Sequence, residues 1–263
     1  MKTFSANLNI MIKACDKASR SLIRDFGEIE KLQVSIKGPS DYVSSADTNV
    51  EKNLINELKK ARPNYSILSE ESGEKINKDS EYKWIIDPID GTLNFLHGIP
   101  HFSISIALEK NKEIVCGIIF DPIKNEMFIA EKNEGAYLNN QKIRVSNRKK
   151  IKDCLILTGG PSYNLKNKSE AFKEYLKVSN FISAPLRKLG SASLDIAYVA
   201  AGRADGYFQR NLNYWDIAAG IIILKEAGGL ICDYSGKNEF ISKKNIIVTN
   251  SYINSDLIEL LYR

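Results

Sequence analysis

Two acidic residues beside a glycine-threonine turn are the feature of this sequence that could most readily do chemistry. An apolar, strand-like run ends at Asp87, and Asp90 follows three residues later. Gly91 permits a tight turn and the close approach of a ligand to the backbone. Thr92 adds a hydroxyl where a helix could begin and present free N–H groups to an anion. Hard divalent cations such as Mg²⁺ prefer such an oxygen-rich set. The alternative is a turn in which both aspartates only cap backbone groups.

Three more carboxylates stand where predicted elements begin or end. Glu70 follows a strand-like run over 65–69. Asp47 precedes the second predicted helix, and Asp216 opens an apolar helix nearer the C-terminus. Each of them alone has an ordinary explanation as a residue that caps or starts an element. Their joint occurrence at element ends, where loops carry function, favours a functional site.

Composition narrows the chemistry that these residues could perform. The 263 residues include two histidines, His97 and His101, which excludes a histidine-rich zinc site. Acid-base and metal chemistry would therefore rest mostly on carboxylates, hydroxyls and water. We expect both histidines to make local hydrogen bonds rather than to bind metal. The four cysteines stand far apart without a C-x-x-C pair, so neither a zinc knuckle nor a redox dithiol is indicated.

Charge and hydropathy exclude further classes of protein. The 37 basic and 32 acidic residues give a net charge of +5, far below what a dedicated nucleic-acid binder shows. The longest apolar run, 217–224, is too short to span a bilayer, and the first residues lack the continuous apolar stretch of a secretory signal. Because the separated cysteines need no disulfide explanation, a reducing compartment fits. We therefore expect a cytoplasmic protein.

Hydrophobic periodicity predicts helices and then a sheet in the N-terminal half. Apolar residues three and four apart predict a helix over 3–27. Thr48 and Glu51 have the spacing of a capping box at the start of a second helix. Closely spaced strand-like runs favour antiparallel pairing. These runs are 65–69, 84–87, 102–108, 114–120 and 126–130.

The pattern changes after the basic stretch 148–152, which we interpret as a lobe boundary. From there on, strands alternate with helices, which favours an α/β lobe. The predicted strands are 155–158, 188–190, 207–208 and 246–249, and the predicted helices are 170–178, 192–201, 217–227 and 257–261. We expect an N-terminal α+β lobe, 1–147, with the metal-binding loop, and a C-terminal α/β lobe, 148–263. The two would form one compact catalytic unit.

Three segments resemble signatures of one known family. Residues 87–92, Asp-Pro-Ile-Asp-Gly-Thr, resemble the first signature of the inositol monophosphatase family, and residues 215–220, Trp-Asp-Ile-Ala-Ala-Gly, resemble its second. The segment 70–72, Glu-Glu-Ser, resembles the acidic stretch before the first signature. The resemblance runs from about residue 41 to about residue 233 in the expected order. It implies a layered αβαβα sandwich of the sugar-phosphatase type, in the α+β or α/β class, and a homodimer.

The resemblance also implies ligands for two or three Mg²⁺ ions. Glu70, Asp87 and the carbonyl of Ile89 would hold the first ion. Asp87, Asp90 and Asp216 would hold the second. Glu70 would reach a weaker third ion through water.

Asp47 and Thr92 have the catalytic roles that the resemblance implies. They would orient and deprotonate a metal-bound water, which attacks phosphorus in line. The physical chemistry is general, because a bound cation lowers the pKa of its water and makes hydroxide available near neutral pH. Such a mechanism requires no phosphoenzyme, which agrees with a chain so poor in histidine.

Substrate contacts carry over from the same resemblance. The backbone of 91–92 can bind phosphate oxygens, and residues 190–192 match the segment whose backbone touches the polyol ring. Gln209 stands where inositol-preferring members carry Glu. Glutamine keeps an acceptor and adds a donor but loses the charge, so a changed preference and a tolerated isosteric exchange both stay open. The expected substrate-binding residues are Asp90, Gly91, Thr92, Gly190, Ser191, Ala192, Gln209 and Asp216.

These features predict Mg²⁺-dependent hydrolysis of a phosphate monoester of a small polyol, with myo-inositol 1-phosphate as the first candidate. Histidinol phosphate and other sugar phosphates are alternatives within the family, and the resemblance implies sensitivity to Li⁺. A hypothesis from another class is a partner protein of the transcription or ribosome-assembly machinery, a role that some bacterial members have. The retained carboxylates and Thr92 favour an active enzyme, because a pure binding module would not need them all.

Overall fold

The N-terminal helix forms by the apolar spacing that predicts it. The structure, a computed structural model, describes residues 4–29, 34–38, 41–160 and 168–262. Helix α1 spans Ala6–Phe26, and its residues Leu8, Met11 and Cys15 are completely buried. The predicted helix over 3–27 is thereby confirmed within the described residues. Strands β1 (Val34–Gly38) and β2 (Asp41–Ser44) follow as an antiparallel pair.

Helix α2 begins one turn earlier than predicted. It spans Ser45–Ala61, and Ser44 is its N-cap. The Ser44 N–H donates to Asp47 Oδ2 at 2.8 Å, which completes a capping box at these two residues. The predicted box of Thr48 and Glu51 is wrong, because β2 ends at Ser44 and the chain turns directly into the helix there. Thr48 lies inside the first turn instead, and its hydroxyl donates to a backbone carbonyl of the preceding residues.

A mixed sheet of eight strands follows in the described residues. Its strands are β3 (Ser66–Ser69), β4 (Gly73–Lys75), β5 (Tyr82–Asp90), β6 (Ser103–Lys110), β7 (Glu113–Asp121), β8 (Glu126–Glu131), β9 (Gly135–Leu138) and β10 (Gln141–Lys142), with the short helix α3 (Thr92–Leu96) after β5. The order across the sheet is β10-β9-β8-β7-β6-β5-β3-β4. Neighbours pair antiparallel as predicted, except that β3 and β5 run parallel.

A four-stranded sheet with its helices makes up the C-terminal part of the described chain. Its elements are β11 (Ile156–Thr158), α4 (Lys168–Phe181), α5 (Ala192–Ala200), β12 (Gly206–Arg210), α6 (Tyr214–Glu226), β13 (Leu230–Cys232), α7 (Phe240–Lys243), β14 (Asn245–Thr249) and α8 (Asn254–Tyr262). The strand predicted over 188–190 is wrong. Only an isolated bridge between Leu157 and Arg187 forms there, and the chain turns at Gly190, whose φ is +95°.

Three apolar clusters stack these elements in layers. Alternate residues of β5 face opposite sides of the large sheet: Trp84 packs with α1 and α2, whereas Ile85 packs with α5 and α6. The cluster around α5 and α6 also takes in Tyr207 from the small sheet. A third cluster places α4 and α8 against the outer face of that sheet. Reading across the molecule gives helices, sheet, helices, sheet, helices, which is the predicted αβαβα sandwich.

Helix α6 lies unusually close to the large sheet. A Cβ atom at Gly117 of β7 would stand 2.5 Å from Ile222 Cγ2 and 2.8 Å from the carbonyl oxygen of Ala219. Only a glycine allows this approach. The contact sets the depth of α6, the helix that carries Asp216 in its first turn. In the described part of the chain, no helix has the length and apolar character needed to cross a membrane.

Candidate active site

An irregularity at the end of β5 brings Asp87 and Asp90 together. Asp87 pairs with Ser105 of β6 and Asp90 with Ser103, so three steps on β5 correspond to two on β6. The strand therefore does not end at Asp87, as the sequence predicted, but continues to Asp90 through a bulge that contains Pro88. Without the extra residue, side chains three apart would face opposite sides of the sheet. The bulge explains how both carboxylates reach the same site.

The parallel pairing of β3 with β5 places Glu70 beside them. Ser69 is level with Ile86, and the Glu70 N–H donates to the Ile86 carbonyl at 3.2 Å. Glu70 and Asp87 thus follow neighbouring parallel strands at the same edge of the sheet. The two side chains share a hydrogen bond, which helps to raise the pKa of Asp87. We expected from the sequence that Glu70 and Asp87 each follow a strand. This register agrees with that expectation and brings the two side chains together.

Asp47 and Thr92 form a hydrogen-bonded pair. Thr92 Oγ1 lies 3.2 Å from Asp47 Oδ1 and 3.0 Å from the carbonyl oxygen of Ile89. The other Asp47 oxygen accepts from the N–H and hydroxyl of Ser44 at 2.8 and 2.7 Å. Burial raises the pKa of Asp47, and the hydrogen bonds partly offset that rise. The pair is arranged so that a proton on Thr92 Oγ1 could pass to Asp47 Oδ1.

Asp90 joins the end of β5 to the first turn of α5. Its Oδ2 accepts from the hydroxyl of Ser191 at 2.5 Å and from the N–H of Ser193 at 2.7 Å. Its Oδ1 receives a longer bond, 3.3 Å, from the Ala192 N–H. A carboxylate at a helix N-terminus is favoured by the free N–H groups and the helix dipole. Burial nevertheless raises the pKa of Asp90, and these bonds lower it in part.

Asp216 completes the set from the first turn of α6. The Asn213 N–H donates to Asp216 Oδ2 at 2.7 Å, so the aspartate acts in a capping box, and its helix begins at Tyr214. Burial, followed by the nearby Asp90 charge, raises the pKa of Asp216 to about 7. Asp87 is affected most strongly: burial, then Glu70, Asp90 and Asp216, raise its pKa well above the ordinary value. Lys244 lowers the pKa of Asp216 only in part, so its charge does not offset the effect of burial and of Asp90.

The donor set fits a hard divalent cation. Asp87 is 2% exposed, and its Oδ1 is buried with no hydrogen-bond partner. Burying an unpaired carboxylate oxygen beside other carboxylates is costly unless a cation accompanies it. A search of the described residues finds no group of three acidic, histidine or cysteine side chains already arranged as a metal cage. Asp90 and Asp216 accept protein hydrogen bonds, so a cation would have to draw the carboxylates closer together as it binds.

Comparison with known proteins shows the family to which a chain with this arrangement belongs. Residues 5–263 match the model of the inositol monophosphatase family. The chain belongs to the inositol monophosphatase family. The resemblance seen in the three sequence segments is therefore confirmed.

Relatives of this family match the chain over nearly its whole length. An inositol-1-monophosphatase of Rhizobium meliloti (strain 1021) is 47% identical over 98% of this chain and 97% of its own. A protein named Nus factor SuhB from Pasteurella multocida is 38% identical over 95% of this chain and 94% of its own. The crystal structure of extragenic suppressor protein suhB from Bartonella henselae superposes with a TM-score of 0.95 at 49% identity, covering 98% and 99% of the two chains.

The segments that the family resemblance predicts to contact substrate lie at the starts of α5 and α3 and on β12. Gly190, Ser191 and Ala192 lie where α5 begins, and the last two also bind Asp90. Gly91, with φ of +97°, is the N-cap of α3 and leads into Thr92. Gln209 is half-buried on β12 and accepts a hydrogen bond from Tyr207. Their contacts with substrate stay predictions.

Sequence reasoning missed several residues of this site. Ser193 binds Asp90 through both its N–H and its hydroxyl. Asp195 is 1% exposed, its Oδ1 has no hydrogen-bond partner, and burial followed by the Asp90 charge raises its pKa well above normal. Both residues lie in a helix whose apolar pattern predicts only core packing. Tyr207 was hidden in the same way, within a buried strand, so no local signal could have identified it.

The two histidines lie in different surroundings. His97 is exposed at the C-terminal end of α3. His101 Nδ1 lies 3.5 Å from Lys124 Nζ, while its Nε2 is buried without a partner. Burial, and then the Lys124 charge, lowers the pKa of His101 to about 4. The ring of His101 also makes an edge-to-face contact with Tyr198.

Proposed function

We propose that this protein hydrolyses phosphate monoesters of small polyols with Mg²⁺, and that myo-inositol 1-phosphate is its substrate. The observation that carries the proposal is the unpaired, buried Oδ1 of Asp87 inside a cluster of carboxylates. Relatives named inositol-1-monophosphatase support the substrate class. Histidinol phosphate and other sugar phosphates are the alternatives within the family.

The chain has residues that could hold the Mg²⁺ ions of that reaction. Mg²⁺, held by Glu70, Asp87, the Ile89 carbonyl, Asp90 and Asp216, would supply the positive charge that polarises the phosphate ester and makes water more acidic. Two or three ions fit the number of carboxylates proposed as ligands.

Proton movement falls to the pair formed by Thr92 and Asp47. When a water attacks phosphorus, Thr92 Oγ1 can take a proton from it and give its own to Asp47 Oδ1, 3.2 Å away. The raised pKa of the buried Asp47 makes it a better base than an exposed aspartate. Ser44 holds Asp47 in place through Oδ2 and leaves Oδ1 for this task.

Phosphate release from a panel of esters tests the proposal directly. The panel contains myo-inositol 1-phosphate, histidinol phosphate and other sugar phosphates, each assayed with Mg²⁺ and with EDTA. We expect release that EDTA abolishes and that Asp87→Asn lowers by at least about 10³-fold, because the cation loses a central ligand. The exposed Asp79→Asn is the matched control and should leave the rate unchanged. No release from any ester would refute the enzyme proposal.

A second candidate function rests on the relatives named Nus factor SuhB. Their names favour a contact with the transcription machinery, alongside or instead of hydrolysis. Immobilised protein should then retain RNA polymerase or ribosomal components from a bacterial lysate, and Asp87→Asn should retain them equally. Recovery of none of these components would count against this candidate.

Several smaller expectations accompany the proposal. We infer a homodimer, inhibition by Li⁺ and a cytoplasmic location, the last supported by four buried cysteines that form no disulfide. The division into lobes at 147/148 stays a prediction. A single apolar cluster takes residues from both proposed lobes, which supports their acting as one catalytic unit.

A further inference from the structure

The side chain of Gln209 is held by two neighbours that the proposed reaction does not use. Tyr207 and Gln209 stand two apart on β12, so their side chains lie on the same face of the small sheet. The Tyr207 hydroxyl donates to Gln209 Oε1 at 2.5 Å. On the other side lies Gly159, where a Cβ would stand 1.8 Å from Oε1 and 2.0 Å from Cδ of Gln209. The amide group therefore lies directly against bare backbone.

These contacts involve the oxygen of the Gln209 amide, whereas its nitrogen is not part of them. Among the residues that the structure describes, none accepts a hydrogen bond from Gln209 Nε2. The Tyr207 hydroxyl is completely buried with the carboxylates of Asp195, Asp90 and Asp216 in its surroundings. The phenolic hydroxyl has one proton to donate, and in the structure it points to Gln209 Oε1. Because a donated proton requires an acceptor, the end of the amide that faces Tyr207 is the oxygen, Oε1, and the other end is the nitrogen, Nε2.

We propose that Tyr207 is a positioning residue for substrate recognition: it holds Oε1 of Gln209 against Gly159 and so presents the Nε2 donor to the substrate. The site then selects phosphate monoesters that offer a hydrogen-bond acceptor at this point. A glutamate at the same position would instead require a donor from the substrate. The inference rests on the proposed function, since it names the substrate group that the same site reads.

Fluorinated and deoxygenated analogues separate a donor from an acceptor. The probes are myo-inositol 1-phosphate analogues in which each ring hydroxyl in turn is replaced by fluorine, which can only accept, or by hydrogen, which can do neither. At one ring position we expect the hydrogen analogue to lose about tenfold in kcat/KM, mostly through KM, as for one lost hydrogen bond. The fluorine analogue should keep most of the activity there. In Gln209→Glu, fluorine should be no better than hydrogen at that position.

Two variants test the positioning separately from the contact. Tyr207→Phe removes only the hydroxyl, and Gly159→Ala pushes the amide away at a residue whose backbone conformation is open to alanine. Both should raise KM several-fold with little change in kcat and remove the advantage of fluorine over hydrogen. Tyr234→Phe, at a buried tyrosine of the same lobe, is the control and should keep the wild-type pattern. Equal losses for fluorine and hydrogen at every ring position of the wild type would overturn the proposal, as would an unchanged pattern in both Tyr207→Phe and Gly159→Ala.

A measurement without turnover distinguishes failure of this inference from failure of the proposed function. The side-chain amide protons of Gln209 can be assigned by NMR from their absence in Gln209→Glu. We expect Tyr207→Phe to shift them and Tyr234→Phe to leave them in place. Unmoved signals in Tyr207→Phe would overturn the positioning role. Shifted signals together with no phosphate release would support that role and refute the proposed function.

Discussion

Asp47 and Asp216 each cap a helix with a carboxylate for which we also propose a role in the reaction. Both stand at the third position of a helix and reach back to the N–H of the cap residue, Ser44 or Asn213. In each case this uses Oδ2. The other oxygen of Asp47, Oδ1, accepts a hydrogen bond from the Thr92 hydroxyl. The sequence left open whether each aspartate is a helix cap or a functional residue. The structure shows that capping uses only one carboxylate oxygen, so it does not exclude the proposed second role.

Removal of the Thr92 hydroxyl should stop the proposed proton transfer. Thr92→Val keeps the shape of the side chain but cannot donate to Asp47 Oδ1 or take a proton from water. We expect kcat to fall by about 10²- to 10⁴-fold, the usual contribution of a positioned acid-base group, with an unchanged circular dichroism spectrum. Steady-state phosphate release measures this.

Thr92→Ser is the matched control, because serine restores the hydroxyl without the methyl group. It should recover most of the rate that Thr92→Val loses. A Thr92→Val protein with nearly wild-type kcat would show that another group moves the proton.

At the scale of elements, the turn from β5 into α3 determines where both Asp90 and Thr92 stand. Gly91 has φ of +97°, and a Cβ there would lie 3.2 Å from the carbonyl oxygens of Gly190 and His101. The turn is therefore enclosed by the segment before α5 as well as by the segment before β6. Glycine is therefore needed at this position for two reasons: it can adopt the left-handed backbone conformation, and it has no side chain to collide with the two carbonyl oxygens.

A pair of glycine substitutions can separate these two costs. Gly73 has φ of +72° but no atom within 4 Å of its Cβ position. Gly73→Ala should therefore lower the free energy of unfolding by about 1 kcal/mol, the cost of the left-handed conformation alone. Gly91→Ala should cost about 3 kcal/mol, because crowding against two carbonyl oxygens is added. Urea unfolding measures both, and equal losses would mean that the enclosure of Gly91 carries no energetic weight.

Elements with regular apolar spacing were predictable, and those set by distant partners were not. Helix α1 and the strands β5 to β8 follow from their own residues. The segment 188–190 has strand-like composition, yet Asn94 Nδ2 donates to the Leu189 carbonyl at 2.8 Å and to that of His101 at 2.8 Å. These side-chain bonds hold the segment beside α3 instead of in a sheet. The partner lies 95 residues away along the chain, so periodicity could not reveal it.

At the scale of the whole molecule, the buried carboxylates make stability depend on pH and on the cation. Burial raises the pKa of Asp47, Asp87 and Asp90, and that of Asp216 rises to about 7. An acid whose pKa is raised by folding binds more protons in the folded state, so the free energy of unfolding falls as pH increases from about 4 to about 7. His101 acts in the opposite direction, because its pKa is lowered to about 4 and its folded form gains stability up to about pH 6.5.

Metal-free protein should therefore lose stability between about pH 6.5 and pH 8, where the opposing effect of His101 has ended. Urea midpoints in EDTA measure the loss. Addition of Mg²⁺ should raise the midpoint more at pH 8 than at pH 5, since binding to the folded state competes with protons. Asp216→Asn should flatten the pH dependence in EDTA. A midpoint that rises from pH 6.5 to pH 8 would contradict this assignment of the carboxylates.

The sequence by itself determined the family, the layered architecture and the residues proposed as ligands. It did so because Asp87, Asp90 and Asp216 lie in short segments whose residue types and order resemble the family's signatures. Local spacing also decided which faces of the helices and strands are apolar, since that depends only on a period of 3.6 or 2.

Only the tertiary structure decided how those residues meet. The bulge in β5, the parallel register with β3 and the packing of α5 against Asp90 each depend on partners distant in sequence. The same is true of Gly159, whose backbone lies directly against the amide group of Gln209 from a distant part of the chain. Hydrogen bonds and close contacts act over a few ångströms in space, whatever the separation along the chain. The orientation of each functional group is therefore a property of the folded molecule.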